Sequence, residues 1–149
     1  MRIFVSILLC LVLCGCNSVY YKPHTLDTQA MVYAQRGGYS MQRSVKQTME
    51  ERGYNVNVGR LKAEKQSEEI DFQTYEIPSK ARYIVYVKER KEILRPIWCM
   101  FNGFWWWNFN VSIVEQKTGT EILSWRGRGC QNSSLRKLND LLDTMEIKK

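Results

Sequence analysis

A single histidine, His24, in 149 residues leaves this sequence short of the side chain on which most acid–base, nucleophilic and zinc chemistry relies. It stands among Tyr20-Tyr21, Pro23 and Thr25 with no serine-and-acid constellation around it, so an incidental role is expected. Glycines are few and form no phosphate-cradling run. Acid pairs such as Glu68-Glu69 lack the apolar surroundings that would raise a carboxyl pKa, and they read as a solvated charged stretch. No apolar run reaches the roughly 20 residues that a bilayer span requires. Together these absences exclude the common catalytic constellations. The expectation is a protein that is not an enzyme, with no catalytic residue, no metal ligands and no cofactor.

What the chain does have is a polarised N-terminus. Met1-Arg2 forms a minimal positive region, Ile3 to Leu13 an apolar one, and Leu13-Cys14-Gly15-Cys16 closes it with a small residue and a cysteine. This resembles the signal of bacterial lipoproteins. The resemblance implies that residues 1–15 are a signal peptide and that the thiol of Cys16 takes a diacylglyceryl group. It also implies that the chain is cut before Cys16 and that the new amine is acylated, for instance with palmitate. At about 0.8 kcal/mol per buried methylene, two or three acyl chains hold a protein on a membrane durably. An ordinary cleaved signal and an uncleaved N-terminal anchor are the alternatives. Asn17, in place of an aspartate after the cysteine, points within that family to the outer membrane, facing the periplasm.

Without Arg2, the mature chain would carry 21 basic against 15 acidic residues, a net +6. Export makes nucleic acid an unsuitable partner for this charge. Anionic lipid, lipopolysaccharide or cell-wall polymer fits better, and a merely solvated basic surface fits equally. Cys10 and Cys14 leave with the leader and Cys16 is used for the anchor, so only Cys99 and Cys130 remain. An oxidising compartment favours pairing them.

Residues 16–29 show no period and read as a tether; residues 30–149 read as one domain. Met31 to Ala34 suits a short strand. A helix is expected from Ser40, as N-cap, through Met41, Val45 and Met49 to a terminating Gly53. Tyr54, Val56 and Val58 alternate as a half-buried strand, residues 60–80 read as a solvated loop, and Ala81 to Lys88 as a central strand.

The segment Ile97-Trp98-Cys99-Met100-Phe101-Asn102-Gly103-Phe104-Trp105-Trp106-Trp107 carries the strongest short hairpin signal, Asn-Gly. It predicts two strands, with Trp105, Trp107, Phe109, Val111 and Ile113 on the core face and Trp106 on the outer one. Trp98, Trp106, Arg126 and Arg128 are then candidates for a partner or ligand patch, although cover by another element explains Trp106 equally well. Thr118-Gly119 turns the chain into a third strand. In this register Cys99 and Cys130 flank the central strand about 10 Å apart, too far for a disulfide, unless Pro96 swings Cys99 round; the bridge stays open. Ser133 or Ser134 is expected to cap a last helix with the stripe Leu135, Leu138, Leu141, Leu142 and Met145.

The order of elements predicts an α+β two-layer sandwich, a mainly antiparallel sheet of four to five strands with two helices on one face. Ala81 to Val87 and Phe109 to Ser124, with Glu115 and Thr118-Gly119-Thr120 at the turn, resemble segments of small envelope lipoproteins of unassigned function, some with a TolB-amino-terminal-like domain. The functional expectation is a membrane-anchored envelope lipoprotein acting as a non-catalytic interaction or accessory module. Its partners would be the membrane, through its anchor, and an envelope protein. The alternative is binding of a lipid or other apolar ligand through a Trp-rich surface or pocket.

Overall fold

A computed structural model describes residues 17–35, 40–61, 75–90, 92 and 96–147. The leader with Cys16, and residues 62–74 of the acid-rich stretch, lie outside them. Among the described residues the strands are β1 (Ser18–Tyr21), β2 (Met31–Ala34), β3 (Asn55–Asn57), β4 (Arg60–Leu61), β5 (Tyr75–Glu76), β6 (Tyr83–Arg90), β7 (Trp106–Glu115) and β8 (Glu121–Cys130). The helices are α1 (Met41–Glu51) and α2 (Gln131–Met145), and a 3-10 turn occupies Ile97–Phe101.

Six strands form one mixed sheet in the order β1-β8-β7-β6-β2-β3, while β4 and β5 pair separately. The strands β6, β7 and β8 make an antiparallel meander, β1 adds antiparallel to β8, and β2 runs parallel to both β3 and β6. Both helices cover one face: Met41, Val45 and Met49 of α1 and Leu138, Leu142 and Met145 of α2 close over Val32, Val85, Val111 and Ile113. This is the expected two-layer α+β sandwich, with six strands in the sheet rather than four or five.

Period-two patterning determines which face is buried. Trp107, Phe109, Val111 and Ile113 of β7 point to the helices while Asn108, Asn110 and Ser112 point away. The rings of Phe109 and Trp125 meet edge to face, 4.6 Å between centroids. A shift in the β7–β8 register at Ile113/Val114 lets both Ile122 and Leu123 reach the core. α1 ends as expected: Gly53 takes φ +85°, its N–H donates to Glu50 O, and that of Tyr54 to Met49 O.

Several expectations need correction. The stretch 16–29 is not a tether where it is described: β1 pairs with β8, and Leu26 is fully buried, its N–H donating to Met145 O. Ser40 precedes α1 but makes no side-chain cap; the carboxylate of Glu89 accepts the Gln42 N–H instead. Residues 60–80 are not wholly loop, since Arg60 and Leu61 pair with Glu76 and Tyr75. Neither Ser133 nor Ser134 is the cap of α2, which begins directly after Cys130. The largest correction concerns the Trp-rich segment: its first arm is a 3-10 turn, and the strand beside β7 is β6. Proline lacks the N–H that a ladder strand must donate. After Pro96 the chain bonds to itself, Cys99 N–H to Pro96 O and Asn102 and Phe104 N–H to Cys99 O.

Candidate binding surface

The segment from Pro96 to Trp105 projects from the end of the sheet where β6 and β8 finish and β7 starts, and it is fastened there at three points. Cys99 and Cys130 are both buried and form a disulfide with Cα atoms 5.2 Å apart. The wide separation expected between the two cysteines fails because Cys99 is not on a sheet strand at all. The first N–H groups of a helix have no partner within it; here the Trp105 carbonyl accepts from Gln131 N (2.9 Å) and the Asn102 carbonyl from Asn132 N (3.2 Å). The Asn102 side-chain amide also donates to Ser133 Oγ, at 2.5 Å. Gly103, at φ +89°, makes this closeness feasible, because a Cβ there would stand 2.6 Å from Asn132 Oδ1.

Fastened in this way, the segment turns its large side chains outward. Ile97 is 77%, Trp98 63%, Met100 60% and Phe101 91% exposed, and Phe104 and Trp105 are about half exposed. Trp105, expected on the core face, therefore belongs to the surface. Phe104 and Trp105 stack edge to face at 5.6 Å.

Around the corner, on the sheet face opposite the helices, lies an open groove of about 850 Å³ lined by Lys88, Arg90, Asn108, Asn110, Arg126 and Arg128. The strand register organises it into two rows across β6, β7 and β8, Lys88–Asn110–Arg126 and Arg90–Asn108–Arg128. With strands spaced at about 4.8 Å, the Cα atoms of the two cationic residues in each row stand about 10 Å apart across their asparagine. Glu92 closes the rim nearest the projecting segment. It accepts from Trp106 Nε1 at 2.5 Å and Asn108 Nδ2 at 2.7 Å, and Arg128 Nε lies 3.5 Å away. Trp106 is thus half-buried and engaged with a carboxylate.

Of the candidate residues, Trp98 lies on the projecting segment, while Trp106, Arg126 and Arg128 lie on the adjoining groove, so the structure brings them to one end of the molecule without merging them into one patch. Lys88, Arg90, Glu92, Ile97, Met100 and Phe101 also belong to this end. For Lys88 and Arg90 the available signal was their spacing of two residues at the end of a strand; their place opposite Asn110 and Asn108 comes from the register of β6 and β7.

The two most strongly perturbed titratable groups, Arg52 and Tyr54, lie elsewhere and hold the fold. Near the C-terminal ends of both helices, Arg52 donates through Nε to Glu146 Oε1 (2.9 Å) and through Nη1 to Asn139 Oδ1 (3.2 Å), and it also bonds Asp143. The hydrogen bond to Glu146 is the main reason that the Arg52 pKa is raised, with Asp143 adding and burial opposing. Tyr54 donates to the same Glu146 oxygen at 2.8 Å, and burial first, then that carboxylate, pushes its pKa far above the ordinary phenol value. Glu89 is raised by burial against the N–H bonds it accepts from α1. His24 Nδ1 lies 3.3 Å from the Glu146 carbonyl in an exposed turn. Among the described residues no group of three or more His, Cys, Asp or Glu is placed to hold a metal ion, and no helix is long and apolar enough to cross a membrane.

Comparison with protein families finds none that matches the chain, and comparison with curated proteins finds no relative. Among solved structures, a PelC dodecamer from Paraburkholderia phytofirmans is similar at TM-score 0.44 and 10% identity, covering 91% of this chain and 99% of that one. A single-residue variant of the same dodecamer is similar at TM-score 0.46 and 11% identity, with the same coverage.

Proposed function

We propose that this chain is a lipoprotein of the bacterial cell envelope, anchored through lipidated Cys16, and that its domain is a non-catalytic binding or accessory module. Its proposed place is the outer membrane, facing the periplasm. The observation that supports a binding role is the projecting segment: Ile97, Trp98, Met100 and Phe101 are exposed together on a backbone fixed by a disulfide and two helix-capping carbonyls. Contiguous exposed apolar surface on a folded domain marks an interaction site, and the fixing means that the exposure is not a loose loop's chance position. A second reading, contact with lipid or another apolar ligand, is favoured by the aromatic make-up of the segment and by the cations of the groove next to it.

The anchor is tested by Cys16→Ser in a Gram-negative host. The parent chain is expected in the membrane fraction at the mass of residues 16–149 plus a diacylglyceryl and an acyl group. The variant is expected to remain an unprocessed or mislocalised precursor. Unchanged mass and unchanged membrane partition would contradict the proposal.

A further inference from the structure

We propose that the projecting segment is a second membrane contact. Ile97, Trp98, Met100 and Phe101 enter the interface of the bilayer that holds the Cys16 anchor, with Arg90 and Arg128 over its anionic headgroups. The orientation rests on the anchor proposed above.

The direction of β1 carries the inference. Ser18 pairs with Arg126 and Tyr21 with Leu123, so the chain, followed back towards its N-terminus, runs along β8 towards Cys130. Asn17 continues that course: its Oδ1 accepts the Arg128 N–H at 3.1 Å. Cys130, cross-linked to the projecting segment, is three residues beyond Gly127, the residue beside Asn17, or about 10 Å along the strand. Cys16 is the covalent neighbour of Asn17, with Cα atoms about 3.8 Å apart. A lipid on Cys16 and the exposed aromatic segment therefore belong to the same end of the sheet.

The leash between anchor and domain is also short and held. The single residue Asn17 separates Cys16 from β1, and its side chain fits over Gly127, where a Cβ would approach Asn17 Oδ1 to 2.6 Å. A domain attached in this way has little freedom to turn its far end to the bilayer. The chemistry of the near end suits that surface: tryptophan and phenylalanine favour the headgroup level, and cations within a Debye length of anionic lipid are attracted to it. Arg90 and Arg128 form the row of the groove closest to the projecting segment, and Lys88 and Arg126 lie one row further away. The occupant that matches apolar tip, cationic flank and adjacent anchor together is a bilayer surface rather than a protein.

The test places benzoylphenylalanine at position 101 or, as control, at position 117 in the turn at the opposite end, and irradiates membranes of the producing cells. Position 101 is expected to yield an adduct of phospholipid or lipid A mass at least tenfold above position 117, falling severalfold in Arg90→Glu with Arg128→Glu. Equal lipid yields from both positions, or a protein adduct at 101 in place of lipid, would overturn the proposal. The intact mass of the unirradiated protein reads the anchor separately. Lipid on Cys16 without an adduct at 101 refutes the second contact alone. A lipid adduct at 101 on a chain whose Cys16 is bare refutes the anchor and leaves the contact standing.

Discussion

The two ends of the sheet solve the same problem in opposite ways. At one end, the turn between β7 and β8 is polar and satisfies itself: Thr118 Oγ1 donates to Glu115 at 2.9 Å, Thr120 N donates to Thr118 Oγ1, and Arg82 bridges Glu115 and Asp27. Hydrogen bonds from Thr118 and then Arg82 hold the Glu115 carboxyl below its ordinary pKa. At the other end, the connection from β6 to β7 carries exposed aromatic and aliphatic side chains and is secured by a disulfide and by the first turn of α2. A polar turn keeps its shape in water unaided. An apolar one gains by folding inward, so its steady exposure requires an outside constraint, here the Cys99–Cys130 bridge and the first turn of α2.

The difference between the two ends depends most on the core beneath them. Leu142→Ala, at a fully buried position of α2, is expected to cost about 2 to 5 kcal/mol and to lower the protection of both ends together in denaturation and hydrogen exchange. A change below about 0.5 kcal/mol would mean that α2 does not pack on the sheet. Replacing both Cys99 and Cys130 by serine is expected to cost roughly 3 to 4 kcal/mol on the chain-entropy model, and to raise amide exchange around residues 97–105 and the start of α2 while the turn at 116–119 is unchanged. Equal effects at both ends would remove the distinction drawn between them.

Gly127→Ala perturbs the other side of β8, where β1 pairs. A methyl group there meets Asn17, Phe109 Cζ at 3.0 Å and Trp125 Nε1 at 3.1 Å, and crowding of this kind costs about 1 to 3 kcal/mol. Loosening is expected first in residues 17–19, read by exchange of the Arg128 amide. The smallest effect belongs to the helix-end clamp. The Tyr54 pKa is raised in the folded state, so its contribution is complete below the ordinary phenol value of about 10 and is lost as pH rises beyond it, when the unfolded chain ionises more readily. Tyr54→Phe is expected to lose about 1 kcal/mol at neutral pH and to show a shallower decline above pH 10 in denaturant titrations; an unchanged alkaline slope would contradict it.

Much of the fold was legible because it rests on local periodicity. The alternation of Trp107, Phe109, Val111 and Ile113, the stripe of Leu138, Leu141, Leu142 and Met145, and Gly53 at the end of α1 each needed only neighbouring residues, and from these the two-layer sandwich follows. β1 was not legible, since Ser18 to Tyr21 buries little and exists by pairing with a strand more than a hundred residues away. The projecting segment was misread because Asn102-Gly103 signals a hairpin only between two ladder strands, whereas Pro96 and the Cys99–Cys130 bridge commit the first arm to a 3-10 turn. The surface was visible in part: Trp106, Arg126 and Arg128 could be read from alternation and Trp98 from the aromatic density of its segment, but Lys88 and Arg90 joined them only once β6 was known to lie beside β7.

Contact between the aromatic end of the sheet and a bilayer is read by tryptophan emission of the protein in vesicles whose acyl chains carry bromine. Trp107 and Trp125 are buried in the core, whereas Trp98 is exposed at the projecting end. Marked quenching is expected, largely lost in Trp98→Phe with Trp105→Phe. Emission unaffected by brominated lipid, or quenched equally in the parent and the double variant, would contradict it.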